Sequence, residues 1–182
     1  MAKKQNGFRA SANIIARRRE AAEKLKRMQL QVGWMDGAQT QSGTPFSIIA
    51  QTLCYGREKG TTKKGWSYPA IPARNFEKVF GSKKYFDKVE RYAAKGMKTV
   101  IEQAITSESG IESAMAATAQ IAAGQLRKAI LDERYQENAP ATIASWAKRH
   151  SGTKKGLTTA DKKELVDTGA MVQHITGAVT TK

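Results

Sequence analysis

Apolar residues near the start of this chain repeat first at the spacing of a helix and then at that of a strand. Residues 11–29 predict an amphipathic helix that Ser11 can cap, because apolar side chains recur on one face among basic ones. That face holds Ile15, Ala22, Leu25 and Gln29. The next segment, QLQVGW, alternates apolar and polar residues from Gln29 to Trp34, which predicts a half-buried strand.

The following part of the chain contains one short apolar segment and one long polar segment. Residues 46–56, FSIIAQTLCYG, predict a short helix or a strand, and their periodicity does not separate the two. Residues 56–70 combine three glycines, four bases and a proline without a sustained pattern. We expect a long exposed loop there, or the tip of an extended hairpin.

Two long helices are predicted after Pro72. Residues 75–106 are mostly helical in pattern, with apolar side chains at spacings of three and four. A second helix is predicted over residues 110–135, and its middle, AMAATAQIAAG, is rich in small residues. Small side chains let backbones approach closely, so we expect this helix to pack tightly against the preceding helix or against a neighbouring subunit.

The C-terminal part is predicted to hold one more helix and one more strand. Residues 138–149 predict a short helix, and residues 148–163 a basic, glycine-containing loop. Residues 171–180, MVQHITGAVT, alternate in the manner of a final strand.

These elements predict an α+β fold, in which a small, mostly antiparallel sheet packs against two or three long helices and long basic loops project. The predicted organisation is a basic N-terminal helix or arm at residues 1–29, then a single α+β domain at residues 30–182 with its extended loop at 56–70.

Charge is the strongest feature of the composition. The 182 residues include 31 lysines and arginines against 16 acids, a formal net charge of +15, so the chain attracts polyanions. Residues 1–30 hold nine of the bases and two of the acids. The most prominent basic clusters are Arg17, Arg18 and Arg19, then Lys63 and Lys64, and then Lys154 and Lys155.

The sign of the charge reverses over residues 102–137, where six acids stand against three bases. Faces of opposite sign let copies of one chain stack or ring head to tail, because the basic face of one meets the acidic face of the next. The alternative is an ordinary solvated helix.

Residues that carry catalysis or bind metal are scarce. The two histidines, His150 and His174, lack the spacing of a zinc site, and the single cysteine, Cys54, is predicted to be a buried thiol. No phosphate-binding glycine loop or nucleophile elbow occurs. The sequence predicts neither an enzyme, nor a cofactor, nor a metal site. It also shows no membrane span and no secretory signal, so we expect synthesis in the cytoplasm.

Aromatic residues flank the lysines of the polar loop. Tyr55, Trp66 and Tyr68 lie on either side of Lys63 and Lys64, where they can stack on nucleic-acid bases. The alternative is that these rings anchor the loop to the domain or to a partner.

Three segments, in this order, resemble one protein family. The first, residues 49–80, contains Tyr-Gly, a variable loop and an Ile-Pro-Ala-Arg block, with Asn75 where the family has proline. Its matching residues are Ile71, Pro72, Ala73, Arg74 and Phe76. The second matches at Asn138, Pro140, Thr142 and Ile143. The third matches at Leu165, Asp167, Thr168, Gly169, Met171 and Ile175, with Glu164 where proline is common. The family is that of the tail-completion, or head-to-tail joining, proteins of tailed double-stranded-DNA bacteriophages.

The physical chemistry of these motifs indicates structural roles. Pro72 disfavours helix at Ile71, so it predicts an extended entry to a helix that Ala73 and Arg74 open and that carries Phe76 into the core. The Asp167-Thr168-Gly169 sequence is typical of a turn before the last strand.

The resemblance implies a structural virion protein that forms a ring, commonly sixfold, at the top of the tail. Its partners would be its own copies, the tail tube or tail terminator, and the head connector, with double-stranded DNA in the channel and no membrane. The candidate channel or docking contacts are Arg17, Arg18, Arg19, Lys63, Lys64, Lys154 and Lys155. The alternatives are a free, sequence-independent nucleic-acid-binding protein and an enzyme such as a nuclease.

Overall fold

The computed structural model describes residues 2–35, 37–40, 42–133, 135 and 170–182, with side chains from residue 11 onward. The helices are α1 (Ala2–Arg27), α2 (Phe46–Tyr55), α3 (Phe76–Phe80), α4 (Lys83–Glu102), α5 (Glu108–Asp132) and α6 (Ala170–Gln173). The strands are β1 (Met28–Trp34), β2 (Gly60–Thr61), β3 (Ser67–Tyr68) and β4 (Ile175–Thr181). The sequence-based expectations for 138–149 and 148–163 lie outside the described residues.

The chain divides into two compact units. The first consists of Met1–Val32, Phe86–Gly124 and Thr176–Lys182, and the second of Gly33–Tyr85 and Gln125–Ile175.

The core of the first unit forms where the apolar stripes of α1, α4 and α5 meet. Ala21, Val100, Ile111 and Met115 are buried together there. Half-buried side chains surround them: Leu25, Met28, Leu30, Ala93, Ile105, Ala114 and Val179. Burial of such side chains supplies the main force that holds these helices on the strands.

The sheet that accompanies these helices has two antiparallel strands, β1 and β4. At its outer end the backbone N–H of Lys182 donates to the carbonyl of Arg27 at 2.9 Å. Long helices packed against a small antiparallel sheet confirm the predicted α+β class.

The small residues of α5 permit two close backbone approaches. A Cβ added to Gly96 of α4 would lie 3.1 Å from the carbonyl oxygen of Ala114 and 2.9 Å from Sδ of Met115. A Cβ on Gly177 of β4 would overlap the carbonyl group of Ala119. The expected tight packing of α5 against the preceding helix is therefore confirmed, and the final strand uses the same stripe.

The second unit is built around α2 and α3. Phe46, Ala50 and Cys54 form the buried face of α2, which confirms that the thiol is buried. The ring of Phe76 meets the edge of Trp34, with centroids 6.1 Å apart at 72°. The predicted role of Phe76 as a core residue is therefore confirmed.

Several predicted boundaries are wrong. Helix α1 begins at Ala2 and places Ser11 inside the helix, although Asn6 and Gly7 disfavour a helix there. The region 75–106 is two helices, interrupted at Gly81 and Ser82. For residues 46–56 the sequence left helix and strand open, and the structure has helix α2 (Phe46–Tyr55) there.

The final strand also begins later than predicted. Met171 and Val172 are both buried, although neighbouring residues of a half-exposed strand point to opposite faces. They lie instead in the short helix α6, and Trp34 Nε1 donates to the carbonyl of Met171 at 2.6 Å. The strand starts at Ile175, after His174 has closed the helical turn.

Candidate functional site

Residues 57–71, which we call the basic hairpin, form an exposed feature of the described part of the second unit. Strands β2 and β3 pair antiparallel, with Gly60 opposite Tyr68 and Thr61 opposite Ser67. The sequence predicted either a long exposed loop or the tip of an extended hairpin, and the structure has a hairpin.

The turn at the tip is held by three hydrogen bonds. The N–H of Thr62 donates to Trp66 O at 2.8 Å, and that of Gly65 donates to Thr62 O at 2.9 Å. The N–H of Trp66 donates to the Thr62 hydroxyl at 3.1 Å. Gly65 has φ +82°, a conformation that glycine adopts without strain. The tip is therefore preformed rather than an unstructured loop.

The flank of the hairpin is filled by a stacked group. The ring of Tyr68 lies over Gly60, so closely that a Cβ on Gly60 would be 2.7 Å from Cζ of the ring. The guanidinium carbon of Arg57 lies 4.2 Å from the centroid of the same ring, a cation–π contact. Tyr68 thus stabilises the hairpin from within, because Gly60 and Arg57 both belong to residues 57–71.

Trp66 differs from Tyr68 because its side chain points into solvent. It is 74 % exposed, and Lys63 and Lys64 beside it are also exposed. Tyr55, the third aromatic residue near the lysines, is 62 % exposed, but its hydroxyl has a partner in the same chain. This hydroxyl donates to Glu77 at 2.5 Å, and the bond raises the pKa of Tyr55. The tip therefore presents one large aromatic ring and two cations to a binding partner.

At the base of the hairpin, two parts of the first segment that resembles the phage family pair with each other. Arg57 and Ile71 exchange both backbone hydrogen bonds, at 2.8 and 2.7 Å. Gly56 ends α2 at φ +79°, and a Cβ there would lie 2.8 Å from Ile71 O and from Ala73 N. The extended conformation expected at Ile71 before Pro72 is confirmed.

Below this base, Arg74 is only 4 % exposed, and its backbone N–H lies 3.1 Å from Cys54 O. Its Nη1 donates to Pro72 O at 3.5 Å. The expectation that Ala73 and Arg74 open the helix is wrong, because α3 begins at Phe76.

Asn75 explains that difference. It takes a left-handed conformation, φ 46° and ψ 35°, immediately before α3. Asparagine tolerates this region, whereas the ring of proline fixes φ near −65°. The proline that the family has at this position would not fit the backbone seen here.

The other candidate contacts lie elsewhere. Arg17, Arg18 and Arg19 are exposed on α1, in the first unit, where Nη2 of Arg18 donates to Glu102 O at 3.2 Å. Lys63 and Lys64 lie together at the hairpin tip in the second unit. Two further groups of candidates fall outside the described residues: Lys154 and Lys155, and Asp167, Thr168 and Gly169.

Sequence reasoning missed one polar cluster in the second unit. The Glu133 carboxylate accepts hydrogen bonds from the Lys84 ammonium and from the Tyr85 hydroxyl, the latter at 2.6 Å. These bonds, first that from Lys84 and then that from Tyr85, lower the pKa of Glu133. The partners are 48 and 49 residues apart, so no local motif marks them.

Two kinds of function find no support in the part of the chain described. No group of three or more histidine, cysteine, aspartate or glutamate side chains there is arranged to hold a metal ion. None of the helices described is both long enough and apolar enough to cross a membrane.

The resemblance to phage joining proteins stays a prediction, since comparisons with protein-family models, curated proteins and solved structures gave no match.

Proposed function

We propose that this chain is a structural protein of the neck of a tailed phage. Its copies form a ring, most simply a hexamer, at the top of the tail, and the basic hairpin docks on the adjoining ring of the tail or of the head connector. The protein is made in the host cytoplasm and ends in the virion, and no catalytic step is involved.

The observation that carries the proposal is the preformed hairpin with an exposed tryptophan at its tip. A tip held by its own hydrogen bonds loses little conformational entropy on binding. Tryptophan and arginine dominate the energetics of protein interfaces, which gives Trp66 the character of an anchor.

The base of the hairpin adds support from the sequence. Gly56, Ile71 and Ala73, which belong to the first segment that resembles the phage family, pack against one another there. These contacts fix the position at which the hairpin leaves the unit. The cations of the hairpin border DNA or an acidic partner, since four bases stand against the single acid Glu58.

Deletion of Thr61 to Gly65 in the phage that encodes the chain tests the docking role. We expect a folded protein, and heads and tails that fail to join, both visible by electron microscopy of lysates. Unaltered infectivity would contradict the docking role.

A free, sequence-independent nucleic-acid-binding protein is the second candidate, and one observation favours it. Trp66 beside Lys63 and Lys64 offers a stacking ring next to phosphate-binding cations. This candidate predicts tight DNA binding by the isolated monomer, with an affinity that falls steeply as salt rises. Weak binding by the monomer would remove it.

A further inference from the structure

The basic hairpin keeps one register from its base to its tip. Its backbone pairs are Arg57 with Ile71, Gly60 with Tyr68 and Thr61 with Ser67. The two strands have the same number of residues between these pairs, and the chain reverses over Lys63, Lys64 and Gly65 alone. A three-residue turn that ends in a glycine of positive φ is a common hairpin connection. The tip therefore has one defined form.

The tip places three side chains in solvent within four consecutive residues. Lys63 and Lys64 form the turn, and Trp66 is the first residue after Gly65. The two lysines are exposed, and Trp66 is 74 % exposed. None of these three side chains has a hydrogen bond, ion pair or ring contact with another described residue. One indole and two ammonium groups are thus available together.

The second aromatic residue of the hairpin has partners in the hairpin itself. The guanidinium carbon of Arg57 lies 4.2 Å from the centroid of the Tyr68 ring, and the same ring lies against Gly60. Tyr68 is two residues after Trp66, so strand alternation places both on one face of their strand. This stack holds the strand from which Trp66 projects, and it leaves Trp66 as the exposed ring of the hairpin.

The charge of the hairpin restricts what can cover the tip. Four bases stand against the single acid Glu58 over residues 57–64, and the whole chain has a formal net charge of +15. Charge complementarity therefore favours an acidic partner. The exposed indole requires in addition an apolar surface that removes it from water.

We propose that the tip binds an apolar pocket, bordered by carboxylates, on a protein of the adjoining ring. The indole of Trp66 fills the pocket, and the ammonium groups of Lys63 and Lys64 face the carboxylates at its rim. A buried aromatic anchor inside a polar rim is the usual anatomy of a protein interface. The inference rests on the docking role in the proposed function, for which it names the chemistry of the partner.

A protein pocket fits the tip better than a nucleic acid does. Double-stranded DNA offers phosphates to the two lysines, but its bases are stacked on one another, so the indole would stay in water. Single strands expose their bases, but proteins that bind them stack successive bases on several rings. The hairpin has one exposed ring. A pocket with an acidic rim satisfies the ring and the cations together.

Joining of heads to tails in vitro tests the contact in the working assembly. Heads and tails are purified from a phage that lacks this gene, the full-length protein is added at increasing concentration, and infectious particles are counted. Trp66→Ala and K63E/K64E should each require at least about tenfold more protein than wild type for half-maximal joining. Higher salt should shrink the difference between K63E/K64E and wild type, because salt screens the charge pairs, and should leave the Trp66→Ala defect in place.

Two variants on α4 are the matched controls. Tyr92 is 43 % exposed, so Tyr92→Ala removes a ring from solvent elsewhere on the chain. Lys88 and Lys95 are exposed, so K88E/K95E makes the same change of charge as K63E/K64E. Both controls should join heads to tails at the wild-type concentration.

Photo-cross-linking from the tip identifies the partner. A benzophenone amino acid replaces Trp66, and the assembled particles are illuminated and analysed by mass spectrometry. We expect a cross-link to a protein of the tail or of the head connector, at a segment that contains aspartate or glutamate. A cross-link to DNA, to a second copy of this chain or to a segment without acidic residues would overturn the proposal.

Failure of this inference is distinguishable from failure of the proposed function. Undiminished joining by Trp66→Ala or by K63E/K64E, with an active wild type, would overturn the pocket and leave the neck role standing. A wild-type protein that does not join heads to tails would refute the neck role, and this inference with it.

Discussion

Gly56 and Ala73 approach so closely that a Cβ on Gly56 would lie 2.8 Å from the backbone nitrogen of Ala73. The contact joins the end of α2 to the segment that leaves the basic hairpin, seventeen positions later in the chain. Because Gly56 also has φ +79°, both the conformation and the space at this position require glycine.

Gly56→Ala is expected to destabilise the protein by more than Gly65→Ala does. Both positions have positive φ, which costs an alanine about 1–2 kcal/mol. Only Gly56 adds a backbone clash, and overpacking costs about 1–3 kcal/mol more. A Cβ added to Gly65 would have nothing within 4 Å, so Gly65→Ala measures the cost of the positive φ alone.

Urea unfolding of the two glycine variants measures this difference. Equal losses of unfolding free energy would show that the contact between Gly56 and Ala73 does not matter for the stability of the unit.

Ala104→Gly is expected to change stability little, because relief of the left-handed conformation, worth about 1–2 kcal/mol, offsets the loss of a buried methyl group, worth about 1 kcal/mol. Ala104 has φ 49° after the end of α4, where its N–H bonds Ile101 O at 3.2 Å and the next N–H bonds Val100 O at 3.0 Å. This is the Schellman arrangement, in which glycine is the usual residue.

The matched control for Ala104→Gly is Ala116→Gly, at an exposed position in the middle of α5, which should cost about 1 kcal/mol. Thermal unfolding should therefore show a clearly lower midpoint for Ala116→Gly and little change for Ala104→Gly. A midpoint lowered as much by Ala104→Gly as by Ala116→Gly would contradict the left-handed conformation.

Trp66→Ala should leave stability within about 0.5 kcal/mol of wild type, because the ring is mostly in solvent. Tyr68→Ala should loosen the hairpin, since it removes the ring that lies between Gly60 and Arg57. Hydrogen exchange at the amides of Thr62 and Trp66 distinguishes the two variants, because exchange should be faster in Tyr68→Ala and unchanged in Trp66→Ala. Faster exchange in Trp66→Ala would show that this ring supports the hairpin instead of serving a partner.

The cluster around Glu133 predicts how stability depends on pH. The bonds from Lys84 and Tyr85 lower the pKa of Glu133 in the folded protein. The free energy of unfolding that ionised Glu133 contributes is therefore present at neutral pH, and it is lost as the pH falls through the lowered pKa.

The pH prediction is measured as the difference in unfolding free energy between wild type and Glu133→Gln. This difference should shrink on acidification. Glu58→Gln, at an exposed carboxylate with no ion pair to any other described residue, serves as control. A difference that is independent of pH would contradict the proposed bonds.

The sequence predicted elements whose cause is local. The small residues of α5 are visible in the sequence and permit the close approach to Gly96. The predicted apolar face of α1 is right at Leu25 but wrong at Ile15, which is exposed, and it misses the buried Ala21. The hairpin was foreseen as one of two possibilities, because its glycines and proline favour a turn without fixing its form.

Features with a non-local cause were not predicted. The left-handed Ala104 lacks the glycine that would have marked it, and the partners of Glu133 are almost fifty residues away. The short helix α6 buries both Met171 and Val172, which the alternating sequence pattern did not reveal.

If this chain is a structural component of the phage neck, as proposed, its place in the particle will show it. A density map of the virion, together with mass spectrometry of purified particles, should find the chain as a ring where head and tail meet. Its absence from infectious particles would rule out a structural role in the neck.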